Sequence, residues 1–249
     1  MQLTTQNLSS LERLYGILKK FPGLEKYQRE IEDLKAAGEF AEGYQKALDG
    51  NTLGVEQVSG MKLNLLNSEQ ADIAKDWLED SLKDVNKIMA DKELMEKEPF
   101  LKSYLSTYKM QMNRAFSDRD DAHDYYADDT VCIVTSITDQ FDKLPTGQEY
   151  QKMPENIKQA ADKLMNFMEA YSDCYEFQGQ VQNAVEQNPG AISDAEYLQA
   201  ADQKMKKLQE ATQRIAETPK KDVVQFFKDT ENASYIERNI KLLYCCPAD

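Results

Sequence analysis

From Pro154 onward, Ile157, Ala161, Leu164, Met168, Tyr171, Tyr175 and Gln178 recur at alternating steps of four and three residues. That period places them on one face of a helix. Val181 and Val185 extend the face with a small change of phase, and Asn188-Pro189-Gly190 is a turn signal. Ser193-Asp194-Ala195-Glu196 then spells a capping box, with Ser193 as N-cap and Glu196 at the third helical position. Leu198, Ala201, Met205, Leu208, Thr212 and Ile215 carry the same seven-residue spacing away from it. Two heptad-patterned helices joined by a short turn lie antiparallel. Each is expected to be about 35–50 Å long at 1.5 Å per residue. Ala, Tyr, Gln and Thr dilute both seams, so each helix should also pack against others.

The first half is helical by the same criterion. Leu11, Leu14, Leu18 and Phe21 form one face after Ser9-Ser10-Leu11-Glu12, read as a capping box, and Pro22-Gly23 ends that helix. A second helix carries Leu24, Tyr27, Ile31 and Leu34, is expected to bend at Gly38, and continues through Phe40, Tyr44 and Leu48. The stretch from Asp49 to Gly60 holds three glycines with little periodicity and reads as an exposed loop. Ala71, Ala74, Leu78, Leu82, Val85 and Met89 make the apolar stripe of a helix over about residues 68–90. Trp77, the only tryptophan, falls at the edge of this stripe and reads as a packing residue. Pro99 suits a first helical turn, and Leu101, Leu105, Tyr108, Met112 and Ala115 follow it. Thr130–Thr138 is rich in β-branched residues but has no evident strand partner, so it is read as a buried helix. Pro145-Thr146-Gly147 closes this half. Thr218-Pro219 opens a last helix, whose inner side carries Val223, Phe227, Thr230, Ile236, Ile240 and Leu243.

The fold class is therefore all-α: an elongated bundle of about seven to nine helices with a long antiparallel hairpin in its second half. Residues 1–145 form the N-terminal half. Residues 148–249 hold the hairpin and the C-terminal helix, with a single continuous domain as the alternative arrangement.

Composition narrows the function. The 249 residues carry a formal net charge of −14, and the pI is about 4.7. Such a field repels phosphate backbones and anionic membranes and suits basic partners or cations. Cys132, Cys174, Cys245 and Cys246 form no CxxC pair and His123 is the only histidine, which excludes a zinc site of ordinary spacing. The sparse cysteines read as reduced thiols in a cytoplasm. A secreted protein whose leader has been removed is the alternative. No run approaches 18 apolar residues, so membrane insertion is not expected. There is no Gly-rich phosphate loop and no GxSxG.

One cluster has the residue types for metal chemistry. Asp118, Asp120, Asp121, Asp124, Asp128 and Asp129 surround Arg119 and His123. On a helix, Asp120, Asp124 and Asp128 share a face and Asp121 adjoins Asp124. Their mutual repulsion would be relieved by a hard cation such as Mg²⁺ or Ca²⁺. Asp120-Asp121-Ala122-His123-Asp124 reads as DDxxD, which resembles the aspartate-rich motif of all-α isoprenoid synthases. The resemblance covers five residues and implies Mg²⁺ held by Asp120, Asp121 and Asp124 to bind a diphosphate. The family's second metal motif is matched in outer spacing by Asp229 and Glu237, but Ala233 stands at its middle position, with Ser234 one residue late.

The reading that the composition favours is non-catalytic, with no resident cofactor: an acidic helical interaction or scaffold protein, such as an effector, immunity or inhibitory protein, acting by binding a protein partner of basic character. The alternatives are a Mg²⁺-dependent enzyme acting on a diphosphate and a cation-binding protein without turnover. A deep apolar pocket at the Asp cluster would mark the enzyme. A flat apolar or tyrosine-rich patch, expected on the hairpin, would mark the binder.

Overall fold

The computed structural model describes residues 3–48, 54–58, 61–116, 145–187, 190, 193–223 and 225. The chain forms two compact units, Met1–Ala122 and His123–Asp249. Nine α-helices lie among the described residues, and the fold is all-α apart from one small hairpin.

In the first unit, α1 spans Thr5–Leu18 and α2 spans Gln28–Ala47. A 3₁₀ turn at Glu25–Tyr27 leads into α2. The N-cap of the first helix is Thr4, five residues before the Ser9 expected from its capping box, because Asn7 supplies an earlier cap. The Thr4 backbone N–H donates to Asn7 Oδ1 at 2.8 Å. Ser9 instead donates to the Thr5 carbonyl one turn back, at 3.2 Å. Leu8, Leu11, Leu14, Ile17 and Leu18 are all buried, and each such side chain contributes about 1.5–3 kcal/mol.

The helix runs unbroken through Gly38, and α1 crosses there. A Cβ at Gly38 would stand 3.2 Å from the Glu12 Cα and 3.4 Å from the Leu11 carbonyl oxygen. Only glycine lets the two backbones approach this closely.

The expected loop from Asp49 to Gly60 contains a strand. β1 (Gly54–Val58) pairs antiparallel with β2 (Met61–Leu65), Val58 opposite Met61 and Gly54 opposite Leu65. The signal was the alternation Met61-Lys62-Leu63-Asn64-Leu65 beyond the Ser59-Gly60 dipeptide. The N-terminal segment ties in beside β2: Thr4 bridges Leu65, and the Leu66 N–H donates to the Leu3 carbonyl at 2.9 Å. Leu3 is fully buried.

α3 spans Ser68–Met89, α4 Lys92–Lys97 and α5 Pro99–Ala115. Asn67 caps α3 by accepting from the Gln70 N–H at 3.0 Å, and Gln70 Oε1 accepts from the Asn67 N–H in return. Ala71, Ala74, Leu78 and Val85 are buried as expected, joined by Ser81 and by Ile88 in place of Met89. α5 is buried on most sides, as a helix surrounded by others must be: Phe100, Leu101, Ser103, Tyr104, Leu105, Thr107, Tyr108, Met110 and Met112 are all enclosed. One polar link crosses this core. The Ser81 hydroxyl donates to the Leu78 carbonyl at 2.7 Å, so at the 2.7 Å contact with Tyr108 the phenol is the donor. Burial pushes the Tyr108 phenol well above its ordinary pKa.

In the second unit, α6 (Gly147–Gln151) starts where Pro145-Thr146-Gly147 is. It is followed by α7 (Glu155–Gln187), α8 (Asp194–Ala216) and α9 (Lys220–Val223). With 33 and 23 residues, α7 and α8 are about 50 and 35 Å long. They form the expected antiparallel hairpin. Phe177 stacks on Tyr197 with centroids 6.1 Å apart, Lys204 reaches Asp173 at 3.5 Å, and Asn156 donates to Asp222 at 2.9 Å. Gly190, in the turn, has φ of 104°, which glycine adopts without strain. Ser193 and Glu196 make the expected capping box, with the Glu196 N–H donating to Ser193 Oγ at 3.3 Å. The seam on α8 differs from expectation. Ala211 and Ile215 are buried and Tyr197 meets α7, while Leu198 and Met205 are 63% and 44% exposed. Ile157, Ala161, Leu164, Met168 and Tyr171 are buried on α7 as expected. Ala160, Met165, Phe167 and Cys174 are buried too, which widens the face beyond what one partner helix covers.

Candidate interaction surface

The aspartate cluster, with Asp120, Asp121 and Asp124 and the neighbouring Arg119 and His123, lies outside the described residues. So do Thr130–Thr138, Cys132, Cys245 and Cys246, and the expected final helix beyond Gln225. Among the described residues no group of three or more His, Cys, Asp or Glu is placed to hold a metal ion. Cys174 is buried, and burial pushes its thiol up, away from the reactive thiolate. Among the described residues no helix is long and apolar enough to cross a membrane.

The feature that stands out is on the outer face of α2 and α3. These helices run antiparallel, with Lys87 reaching Glu30 at 3.3 Å near one end and Tyr44 within the field of Glu69 near the other. Between them Trp77 is half-buried. It sits 6.0 Å from the Phe40 ring at a 30° tilt and 5.5 Å from Tyr44, edge to face. Trp77 is thus a packing residue, as expected, but of its two ring partners Tyr44 is half-buried and Phe40 is open to solvent. Phe40 is 65% exposed and Ile73 is 38% exposed. Ala36, Gly43 and Ala47 on α2 are exposed beside them.

The local reason is a mismatch of periods. On α2 the buried line is Leu34, Gly38, Ala41 and Leu48. Ala36, Phe40, Gly43 and Ala47 make a second line at the same four-three spacing, on nearly the opposite side of the helix from the first. The sequence reading merged Phe40 and Tyr44 into the inner face. The separate outer line was legible in the spacing, but not which of the two lines is covered.

Charges border this crest unevenly. On α2, Asp33 pairs with Arg29 at 3.8 Å and Glu39 with Lys35 at 3.7 Å, Glu42 pairs with Lys46, and Glu32 accepts from Gln28 at 3.0 Å. On α3, Glu79 pairs with Lys75 at 3.5 Å and Asp80 with Lys83 at 2.7 Å. Glu69, Asp72 and Asp76 are exposed and make no ion pair among the described residues. Glu69 and Asp76 flank Ile73 at helical steps of four and three, and Asp72 precedes it in the chain. Asp84 lies at the other end of the interhelical line, where burial, offset by Lys87, raises its carboxyl pKa. The surface is aromatic along its centre and anionic along its α3 edge. The chain matches no family model, no curated protein and no solved structure, so the surface itself carries the functional argument.

Proposed function

We propose that this is a non-catalytic helical interaction protein, offering an acidic, aromatic-centred surface to a protein partner. One observation supports the reading above others: Phe40, Tyr44 and Trp77 are clustered with Ile73 on an outer face, Phe40 at 65% exposure. Leaving an aromatic group in water forgoes about 1.5–3 kcal/mol of burial. Contiguous exposed apolar side chains rimmed by polar ones mark interaction sites on soluble proteins. Aromatic residues are also the side chains most enriched where partners bury surface.

The test is site-specific photocrosslinking in the native cell. A benzophenone amino acid replaces Phe40 in one experiment and Leu198, exposed on the other unit, in a second. A discrete protein adduct from position 40 and none from position 198 is the expected result. Identical adduct patterns from both positions, or none from either, would sink the proposal.

A further inference from the structure

Resting on that reading, we infer that the occupant of the crest is a basic amphipathic α-helix of the partner, laid along α2 and α3. The shape argues for a helix. Ala36, Phe40, Gly43 and Ala47 form a straight ridge of one large side chain between three small ones. Its length is about 16 Å, or three turns. A Cβ built on Gly43 meets nothing within 4 Å, so the ridge is low on both sides of Phe40. Low ridges allow helix axes to approach at about 8–10 Å. A partner helix would read this site through apolar anchors at successive turns, set against Phe40, Tyr44, Ile73 and Trp77.

The charge argues for a basic partner. Ion pairs within each helix engage Asp33, Glu39, Glu42, Glu79 and Asp80, and Glu32 is hydrogen-bonded to the neutral Gln28, whereas Glu69, Asp72 and Asp76 stand together on one edge of the crest. Glu69 also suits the first turn of its helix. Asp72 and Asp76, beyond that turn, have no such reason. Lys or Arg on the polar flank of a docked helix would meet all three. A second copy of the chain is a poor occupant by the same argument: crest against crest brings two acidic edges and two chains of net charge −14 together.

The lone tryptophan makes the inference directly measurable, because Trp77 lies in the crest and no other tryptophan contributes. The full chain is titrated with two synthetic amphipathic helices that share a leucine face, one with a lysine polar face and one with a glutamate polar face. Trp77 emission should shift saturably with the lysine peptide only. Phe40→Ser and the pair Asp72→Asn/Asp76→Asn should each weaken binding by about tenfold or more, with circular dichroism unchanged. Added salt should weaken the wild-type complex.

Equal binding of both peptides would overturn the basic assignment. Unaltered affinity in Phe40→Ser would reduce the signal to diffuse charge attraction and overturn the site. Self-association that Phe40→Ser abolishes would make a second copy the occupant. A crosslinked partner at position 40 together with no binding of the lysine peptide would defeat this inference alone and leave the interaction reading standing.

Discussion

Two antiparallel helix pairs in this protein carry large apolar side chains on their outer faces, and they differ in kind. On α2 and α3, Phe40, Tyr44, Ile73 and Trp77 gather into one aromatic surface with ring centroids 5.5 and 6.0 Å apart. On α7 and α8, Leu198 and Met205 are exposed one heptad apart, about 10 Å along the helix, with Asp202 between them on the same line. Single exposed apolar residues are ordinary on a protein surface. Contiguity separates the α2–α3 cluster from side chains that are exposed singly. The hairpin packs its aromatics within itself, with Phe177 against Tyr197 and Phe167 near Tyr171, whereas the α2–α3 pair leaves Phe40 exposed with Trp77 and Tyr44 half-buried beside it.

The contrast breaks most sharply on α8. Ile215→Ala, at a fully buried position, should cost about 2–5 kcal/mol in urea unfolding. Tyr197→Ala should cost about 1–2 kcal/mol through loss of its stacked contact with Phe177. Leu198→Ala should stay within about 0.5 kcal/mol. If Leu198→Ala costs more than Tyr197→Ala, the seam assigned to this helix is wrong.

A smaller pair of effects sharpens the account of α2. Gly38→Val should destabilise by about 1–3 kcal/mol or more, because its side chain would press on the α1 backbone at Glu12. Gly43→Ala meets no atoms and should stabilise by about 0.5–1 kcal/mol through helix propensity. Thermal melts of the two variants should therefore move in opposite directions. A shift of the same sign would remove the distinction between the inner and outer lines of that helix.

The smallest effect concerns a polar tie within the same unit as the crest. Asp91 is held below the ordinary carboxylate range first by its contact with Lys26, then by the Leu94 N–H and the Tyr27 hydroxyl, the last at 3.1 Å. A depressed folded-state pKa stabilises the fold above the unfolded value of 3.8. That contribution disappears as pH falls through the folded value. The gap in urea midpoint between wild type and Asp91→Asn should accordingly be constant from pH 7 to 5 and close below about pH 4. A gap that persists unchanged to pH 2 would show that Asp91 acts through its neutral hydrogen-bonding geometry alone.

Much of this architecture was legible beforehand, since the signals are local. The Ser193–Glu196 box, the glycine after Pro189 and the apolar rhythm from Ile157 to Tyr171 each act within a few residues. They yielded the hairpin and the helical class. The strand at Gly54–Val58 was missed because glycines obscured it and its partner's alternation spans only five residues. An exposed apolar or tyrosine-rich patch was expected on the hairpin, whereas the exposed aromatic cluster among the described residues lies on α2 and α3.

The sequence by itself determined which segments become helices and which lines of side chains are apolar, because backbone hydrogen bonding, caps and side-chain period are settled between neighbours in the chain. The tertiary structure alone decided which of two apolar lines on the same helix meets a partner and which meets water. It turned Tyr197 and Ile215 toward α7 and left Leu198 outside. It set Gly38 against α1 and left Phe40 exposed. The physical reason is that burial belongs to a pair of surfaces: a periodic pattern offers a face, and only the geometry of the opposing helix determines whether that face is covered.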